Sequence, residues 1–397
     1  MISKKTVSTL LGLGAACAML LAGCSSTPST GGSTTQPPET SAPATSASSA
    51  SDNSTPASAV IGTPFAAGAT IGISLPQKTS TNWVQAGQYF TSGFQAAGFQ
   101  SVVEFADNGV TEQQQQIEAM IQQGVKVLVI GAVDGSQLGT QLADAKTAGI
   151  PVIAYDRMLT NTPDIDAYVS FDNCQIGTMQ GNALLRGLAA LQGSSPWNIE
   201  VFSGSPDDSN STPFYQCAMQ VLQPKIDDGT LKVPSGQTSQ QQTATQGWLA
   251  SNAQTRMDSL MSGFYGNGTK INGVLSPNDP LARAILASVE AAGQPDPVVT
   301  GMDAEDLTIQ SIAAGQQYQT IDKDPTLDTT EVIKMVQAIQ QGTPIDFTAY
   351  QNNGDHDVPS YLLTPIEVTK DNVCTALPAG SEAADTAAAT DFCKSQG

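Results

Sequence analysis

Short runs of β-branched and apolar residues recur through the middle of the chain: Thr70-Ile-Gly-Ile-Ser-Leu75, Ser101-Val-Val-Glu-Phe105, Val125-Lys-Val-Leu-Val-Ile130 and Pro151-Val-Ile-Ala-Tyr155. They begin roughly 25 to 30 residues apart, the length of one strand-helix-strand unit. Helical patterns fill the intervals. One runs from Trp83 to Ala97 and ends at Gly98. A second runs from Glu112 to Gln123, with Ile117, Met120 and Ile121 on one face and Thr111 with Gln114 as a capping box. A third runs from Ser136 to Ala148 and ends at Gly149. A second series follows at Asn198-Ile-Glu-Val-Phe202, Gly273-Val-Leu275, Pro297-Val-Val-Thr300 and Gln319-Thr-Ile321. Such alternation predicts an α/β protein of two doubly wound parallel-sheet lobes in tandem, with the folded body starting near Phe65.

The N-terminal end carries no such pattern. Lys4 and Lys5 precede an apolar run, Val7 to Leu21, too short to span a bilayer, and residues 1–23 read as an export signal. Leu21-Ala22-Gly23-Cys24 resembles the bacterial lipobox, in which the cysteine thiol receives a lipid; the alternative is ordinary secretory cleavage with Cys24 incidental. Ser25 to Ala59 is almost wholly Ser, Thr, Pro, Ala and Gly, which cannot bury enough apolar surface to offset chain entropy, so residues 24–66 are expected to be a lipidated, disordered tether. The implied location is the outer face of the cell membrane, touched only through that lipid.

Charge and cysteine count then narrow the partners. With 16 Lys+Arg against 36 Asp+Glu, the formal charge of -20 repels nucleic acid and anionic lipid. A single histidine, His356, in the surface-like stretch Asn352-Asn-Gly-Asp-His-Asp357, leaves no basis for metal clusters or His-based triads, and no metal or cofactor is expected. Four cysteines remain after Cys24: Cys174, Cys217, Cys374 and Cys393. In an exported chain they favour disulfides, and three pairings are possible. The favoured one joins Cys374 to Cys393 and Cys174 to Cys217; four buried free thiols is the alternative.

Ligands of open α/β sheets sit beyond the carboxyl ends of the strands. Those positions here are Lys78-Thr-Ser-Thr-Asn-Trp83, Asp156-Arg157, Phe171-Asp172-Asn173, Ser205 to Asn210 with Asp207 and Asp208, Ser276-Pro-Asn278-Asp279, Met302-Asp303 and Asp322-Lys323. Carboxylates, amides and cations in a ring match hydroxyls that donate and accept at once. Trp83, Phe171, Phe214 and Trp248 offer flat faces for a C–H surface, so the set suits a pyranose.

Seven ordered blocks carry a more specific resemblance: Gly124 to Ile130, Val152-Ile-Ala-Tyr-Asp-Arg157, Phe171-Asp-Asn173, Gly204-Ser-Pro-Asp-Asp208 with Asn210, Leu275-Ser-Pro-Asn-Asp279, Met302-Asp-Ala-Glu305 and Pro359-Ser-Tyr-Leu-Leu363. From Gly68 to Lys370 the chain resembles the periplasmic sugar-binding proteins of ATP-driven importers, in the group of the xylose-binding and multiple-sugar-binding proteins. The resemblance implies a type I periplasmic-binding-protein-like fold with three crossings between lobes, near Asp172-Asn173, Asp322-Lys323 and Gly342-Thr343-Pro344. It implies a first lobe of 67–172 with 324–344 and a second of 173–323 with 345–397. It places Asp156, Arg157, Asn210, Asn278, Asp303 and Lys323 in the interlobe cleft, with Trp83 as stacking ring and Trp248 as a second. Asp208 and Asp279 complete the candidate ligand-binding set. Where this family often has an arginine before the tryptophan, Asn82 stands here.

The function so implied is capture of a monosaccharide by a monomer, without catalysis, and its delivery to an ABC transporter permease. A lipoprotein presenting bound sugar to a receptor would use the same cleft. Enzymes are disfavoured by the absence of G-x-S-x-G, H-E-x-x-H and P-loop motifs and by the company of Arg157, Lys323 and amides at strand ends neighbouring the acids, which suits hydroxyl binding better than a general acid. Several candidates have structural alternatives: Asp207 or Asp303 as a helix cap, Trp248 as core, Asp156-Arg157 as a local ion pair.

Overall fold

The computed structural model describes residues 58–396. The expected signal, Cys24 and the tether up to residue 57 lie outside them.

The first strand series forms β1 (Thr70–Leu75), β2 (Gln100–Phe105), β3 (Leu128–Ile130), β4 (Val152–Tyr155) and β5 (Ala167–Phe171). The second forms β6 (Trp197–Val201), β7 (Leu231–Lys232), β8 (Gly273–Leu275), β9 (Val298–Val299) and β10 (Gln319–Asp322). The strands β11 (Ala349–Asn352), β12 (Asp357–Leu363) and β13 (Ile366–Thr369) follow. They build a seven-stranded sheet of order β11-β12-β5-β4-β3-β1-β2, a four-stranded sheet β7-β6-β8-β9 and a pair β10-β13. All neighbours are parallel except β11 with β12 and β10 with β13.

Central strands are buried on both faces, as helix-covered parallel sheets require. Leu128 to Ile130 and Val152 to Tyr155 are all buried. The helix Thr81–Ala96 presents Trp83, Ala86, Gly87, Phe90 and Phe94 at helical spacing to this sheet. The helix Pro325–Gln341 joins the same core through Val332, Met335, Val336 and Ile339, which places 324–344 in the first lobe.

Three expectations are corrected. Residues 345–363 belong to the first lobe, not the second, because β12 pairs with β5 from Ser360 opposite Tyr168 to Leu363 opposite Phe171. The third crossing therefore lies between Leu363 and Ile366, not at Gly342-Thr343-Pro344; the Asp172 N–H donates to the Leu363 carbonyl at 3.0 Å, tying it to the first crossing. The folded body also starts earlier than residue 67: Ala59 bridges Ile345 in antiparallel fashion and Ile61 is buried in the first core, since even one isoleucine gains by leaving water. At a smaller scale, the helix Val110–Gln123 starts before Thr111 and has Gly109 at its N-cap, so the Thr111 capping box does not form.

Both disulfides take the favoured pairing, Cys174 with Cys217 and Cys374 with Cys393, and both lie in the second lobe. The first joins the helices Asn173–Leu191 and Ser211–Asp227; the second clips the tail, whose helix Glu382–Ala389 packs on the helix Asp306–Ala314.

Candidate functional site

A cleft of about 600 Å³, counted out to its mouth, opens between the two lobes at the carboxyl ends of their strands. Nine of the ten sequence candidates line it: Trp83, Asp156, Arg157, Asp208, Asn210, Trp248, Asn278, Asp303 and Lys323. Asp279 does not. It follows β8 directly, but as the first residue of the helix Asp279–Ala291 its side chain turns back into the second lobe, accepting from Thr320 Oγ1 at 2.9 Å, Gln317 Nε2 at 3.1 Å and the Glu305 N–H at 3.1 Å. Of the other aromatic candidates, Phe214 lines the cleft, whereas Phe171 is buried in the core beneath it. Asp207 accepts from Gln246 Nε2 at 2.9 Å and caps nothing.

The cleft's charged groups are paired across the lobes. Asp156, just past β4, accepts from Lys323 Nζ at 2.6 Å on one oxygen and from Asn210 Nδ2 at 2.9 Å on the other. Arg157 Nη1 donates to the Ala132 carbonyl at 3.0 Å, and its Nε lies 3.0 Å from Asp208 Oδ2 as an ion pair. Trp248 Nε1 donates to that same carboxylate oxygen at 3.0 Å. Backbone contact joins the lobes as well, the Met158 N–H donating to Ser209 Oγ at 2.8 Å. Such pairs hold polar groups at fixed positions in a low-dielectric space, where unpaired they would be costly.

Asp303 is different. Its carboxylate accepts no hydrogen bond from any described side chain or backbone N–H, although it faces the cleft. Burial pushes its pKa up to about 7, against the downward pull of Lys323. Burial also raises Asp208, despite Arg157, and raises Asp328 well above the ordinary range, with Asp156 adding to the effect. Burial pulls the Lys323 ammonium down, but Asp156 and Asp303 together overcome this and leave it above the ordinary lysine value. Two acids are thus paired with two cations, and the other two are biased towards their neutral forms. Each of the cleft's two cations therefore has an acid as its partner.

Backbone strain gathers here too. Asp156 (φ 57°), Trp248 (φ 54°), Asp303 (φ 95°) and Ala304 (φ 48°) occupy the left-handed region that side chains disfavour. Four of the five such non-glycine residues among those described lie in or beside the cleft. The helix after Asp303 begins at Asp306 and is capped by Glu305 without a side-chain bond, so Asp303 is no helix cap.

Each tryptophan rests on a glycine. Trp83 sits edge-on to Tyr155 at 6.0 Å, with the Arg157 guanidinium 5.3 Å from its ring. A Cβ on Gly131 would meet Trp83 at 2.9 Å, and one on Gly204 would meet Trp248 at 2.2 Å. Trp248 is half-buried with its indole at the cleft, so it is not simply core.

Sequence reasoning missed Gln77, Tyr155, Pro325 and Asp328 as cleft residues, included Ser80 and Met302 in strand-end stretches without giving them a role, and singled out Asn82 only as a departure from the family pattern. Gln77 immediately precedes the Lys78–Trp83 stretch and Tyr155 ends β4, so the strand-end rule applied one residue more generously would have found both. Asp328 carries no such signal: it reaches the cleft from a helix, donated to by Tyr155 Oη at 2.9 Å.

The chain matches the family model described as periplasmic binding protein domain over residues 71–344. The chain belongs to the periplasmic binding protein family. Its fold is the type I form of that family, and the family places it among binding proteins, not enzymes. The multiple sugar-binding periplasmic protein of Azospirillum brasilense is 42% identical over 309 residues, covering 76% of this chain and 86% of the relative. The D-xylose-binding periplasmic protein of Escherichia coli strain K12 is 35% identical, covering 76% and 87%. An ABC transporter solute binding protein from Clostridium phytofermentans, solved with bound β-D-glucose, superposes with a TM-score of 0.76 at 37% identity, covering 80% of this chain and 99% of that one.

Proposed function

We propose that the protein captures a neutral aldopyranose such as xylose, glucose or galactose in this cleft, and hands it to a membrane permease of an ABC importer. The observation that carries this reading is that both cations of the cleft are already paired with acids while one acceptor, Asp303, faces it without a partner. A neutral polyol needs hydrogen-bond partners but no counter-charge. Asp303 offers a carboxylate that two adjacent hydroxyls can share, while Trp83 offers a ring for the C–H face.

The sugars bound by the relatives named above support this choice. Closure follows from where the partners sit. Trp83, Asp156 and Arg157 come from the first lobe, and Asp208, Asn210, Asn278 and Asp303 from the second. Only when the lobes approach do all hydroxyls find partners, so bound sugar favours the closed arrangement by rotation at the three crossings. Lipid on Cys24 would keep the receptor beside its permease.

Calorimetric titration with xylose, glucose, galactose and arabinose tests the reading: saturable heat with at least one is expected, and flat traces with all four, or hydrolysis of an aryl glycoside, would overturn it. Anchoring is tested separately by Cys24→Ala, which is expected to move the protein from the membrane fraction to the medium; unchanged fractionation removes the lipid.

A further inference from the structure

A second cavity, about 670 Å³ counted to its mouth, adjoins the first and shares Asn82, Asp303 and Pro325 with it. Its wall is acidic: Asp303, Glu305, Asp306, Asp322, Asp324 and Glu382. The one cation in that wall, Arg283, is already paired with Glu305. Most of the acids are also occupied. Asp306 accepts from Thr386 Oγ1 at 2.6 Å, Asp324 from the Thr326 N–H at 2.8 Å, and Glu382 from Gln85 across the mouth between the lobes.

Besides Asp303, Asp322 is the exception. It is 4% exposed, and its carboxylate accepts no hydrogen bond from any described residue; Oδ2 in particular is buried without a partner. Native structures leave few buried polar groups unpaired, and each such group asks for a partner from outside the chain or for a proton. Burial pushes the Asp322 pKa up to about 7, with Asp324 and Asp303 adding to the effect, so a partner bearing positive charge would relieve both the missing hydrogen bonds and the repulsion.

The charge has to arrive in a form that fits. Among the described residues no group of three or more acidic, histidine or cysteine side chains is arranged to hold a metal ion. The acids instead surround a space large enough for an organic group, with Tyr89 in its wall, and Asp303 stands at the junction with the sugar cleft. Asp303 lines both cavities and Asp322 lines the second, so a ring held at Asp303 would have the second cavity beside it.

We propose that the second cavity receives an ammonium substituent of the ligand, so that the protein binds an amino-substituted aldohexose, probed as D-glucosamine, in preference to the parent sugar. This rests on the sugar-binding reading of the first cleft, keeps the neutral aldopyranose as a ligand there and makes the charged amino sugar the tighter one.

The test is calorimetry on the intact protein at pH 7 with D-glucosamine, D-glucose and N-acetyl-D-glucosamine. Glucosamine is expected to bind about ten-fold more tightly than glucose, and the N-acetyl form, which lacks the charge, more weakly than glucosamine. In Asp322→Asn the glucosamine advantage should vanish while glucose affinity stays within about two-fold. Glu382→Gln, a surface change in the tail that does not threaten folding, should reduce the advantage in part. Glucose binding without a glucosamine advantage in the wild type, or an advantage that survives in Asp322→Asn, overturns this inference and leaves the sugar reading standing. No heat with any of the three, together with none from the four neutral sugars, removes both.

Discussion

The two lobes solve the same packing problem by different means. The first closes a seven-stranded sheet around an aromatic core in which Phe90 stacks near Phe94 at 5.8 Å and meets Tyr155 edge-on at 4.9 Å. The second has only four- and two-stranded sheets, and both disulfides lie in it. Short sheets bury less apolar surface per strand, and a covalent link offsets the deficit by restricting the unfolded chain. One lobe is held by packing, the other by packing with staples. The site draws on both alike: each lobe supplies one indole, Trp83 and Trp248, and one acid on a left-handed backbone, Asp156 and Asp303.

That contrast can be broken from either side. The largest effect is expected from Phe90→Ala, which leaves a cavity in the first core and should cost about 3 to 5 kcal/mol. Denaturant unfolding measures it, and a loss under about 1 kcal/mol would mean that the aromatic core does not hold the lobe. Replacing Cys174 and Cys217 together by serine opens a link spanning 43 residues. It should cost roughly 2 to 4 kcal/mol, with hydrogen exchange rising in the second lobe and little in the first. Equal protection loss in both lobes would erase the distinction drawn between them.

Asp303→Asn should weaken sugar binding about 30-fold, roughly 2 kcal/mol, because a carboxylate that two hydroxyls can share becomes an amide with a single acceptor oxygen. Unlike a structural substitution, it should leave the sugar-free protein as stable as before or more so. A destabilised apo protein with near-normal affinity would take Asp303 out of the site. The smallest effect is the pH dependence. Asp303 and Asp322 have folded pKa values of about 7, above the ordinary 3.8. The folded state therefore holds protons that the unfolded state has released, and the contribution to stability is lost as pH rises from about 4 to about 7. The melting temperature of the sugar-free protein should fall across that window, less steeply in Asp303→Asn; an identical slope in the two would assign the dependence elsewhere.

Much of this was legible because the signals are local. Asp156, Arg157, Asn278, Asp303 and Lys323 each follow a strand by a few residues and Asn210 opens the helix after β6, and parallel sheets bring all such ends to one side. What the chain did not disclose depends on distant partners. β12 sits in the first sheet because Ser360 to Leu363 pairs with Tyr168 to Phe171, almost two hundred residues earlier, and nothing within Asp357 to Leu363 names that partner. Asp279 satisfies the strand-end rule as well as Asn278 does, yet one residue's rotation along a helix turns it towards Thr320 and away from the cleft. Asp328 approaches from a helix surface, where position in sequence says nothing about strand ends.

The glycines beneath the two cleft tryptophans tie the shape of the cleft to backbone positions outside its lining. A Cβ at Gly131 would press on Trp83 and Leu75, and one at Gly204 on Trp248 and Ser211, so neither position accepts a side chain unless an indole moves. At Trp248 such a move would strain the hydrogen bond to Asp208, which is itself paired with Arg157. The slot's width and its polar register are thus coupled through one indole, and a single carbon atom outside the lining would disturb both.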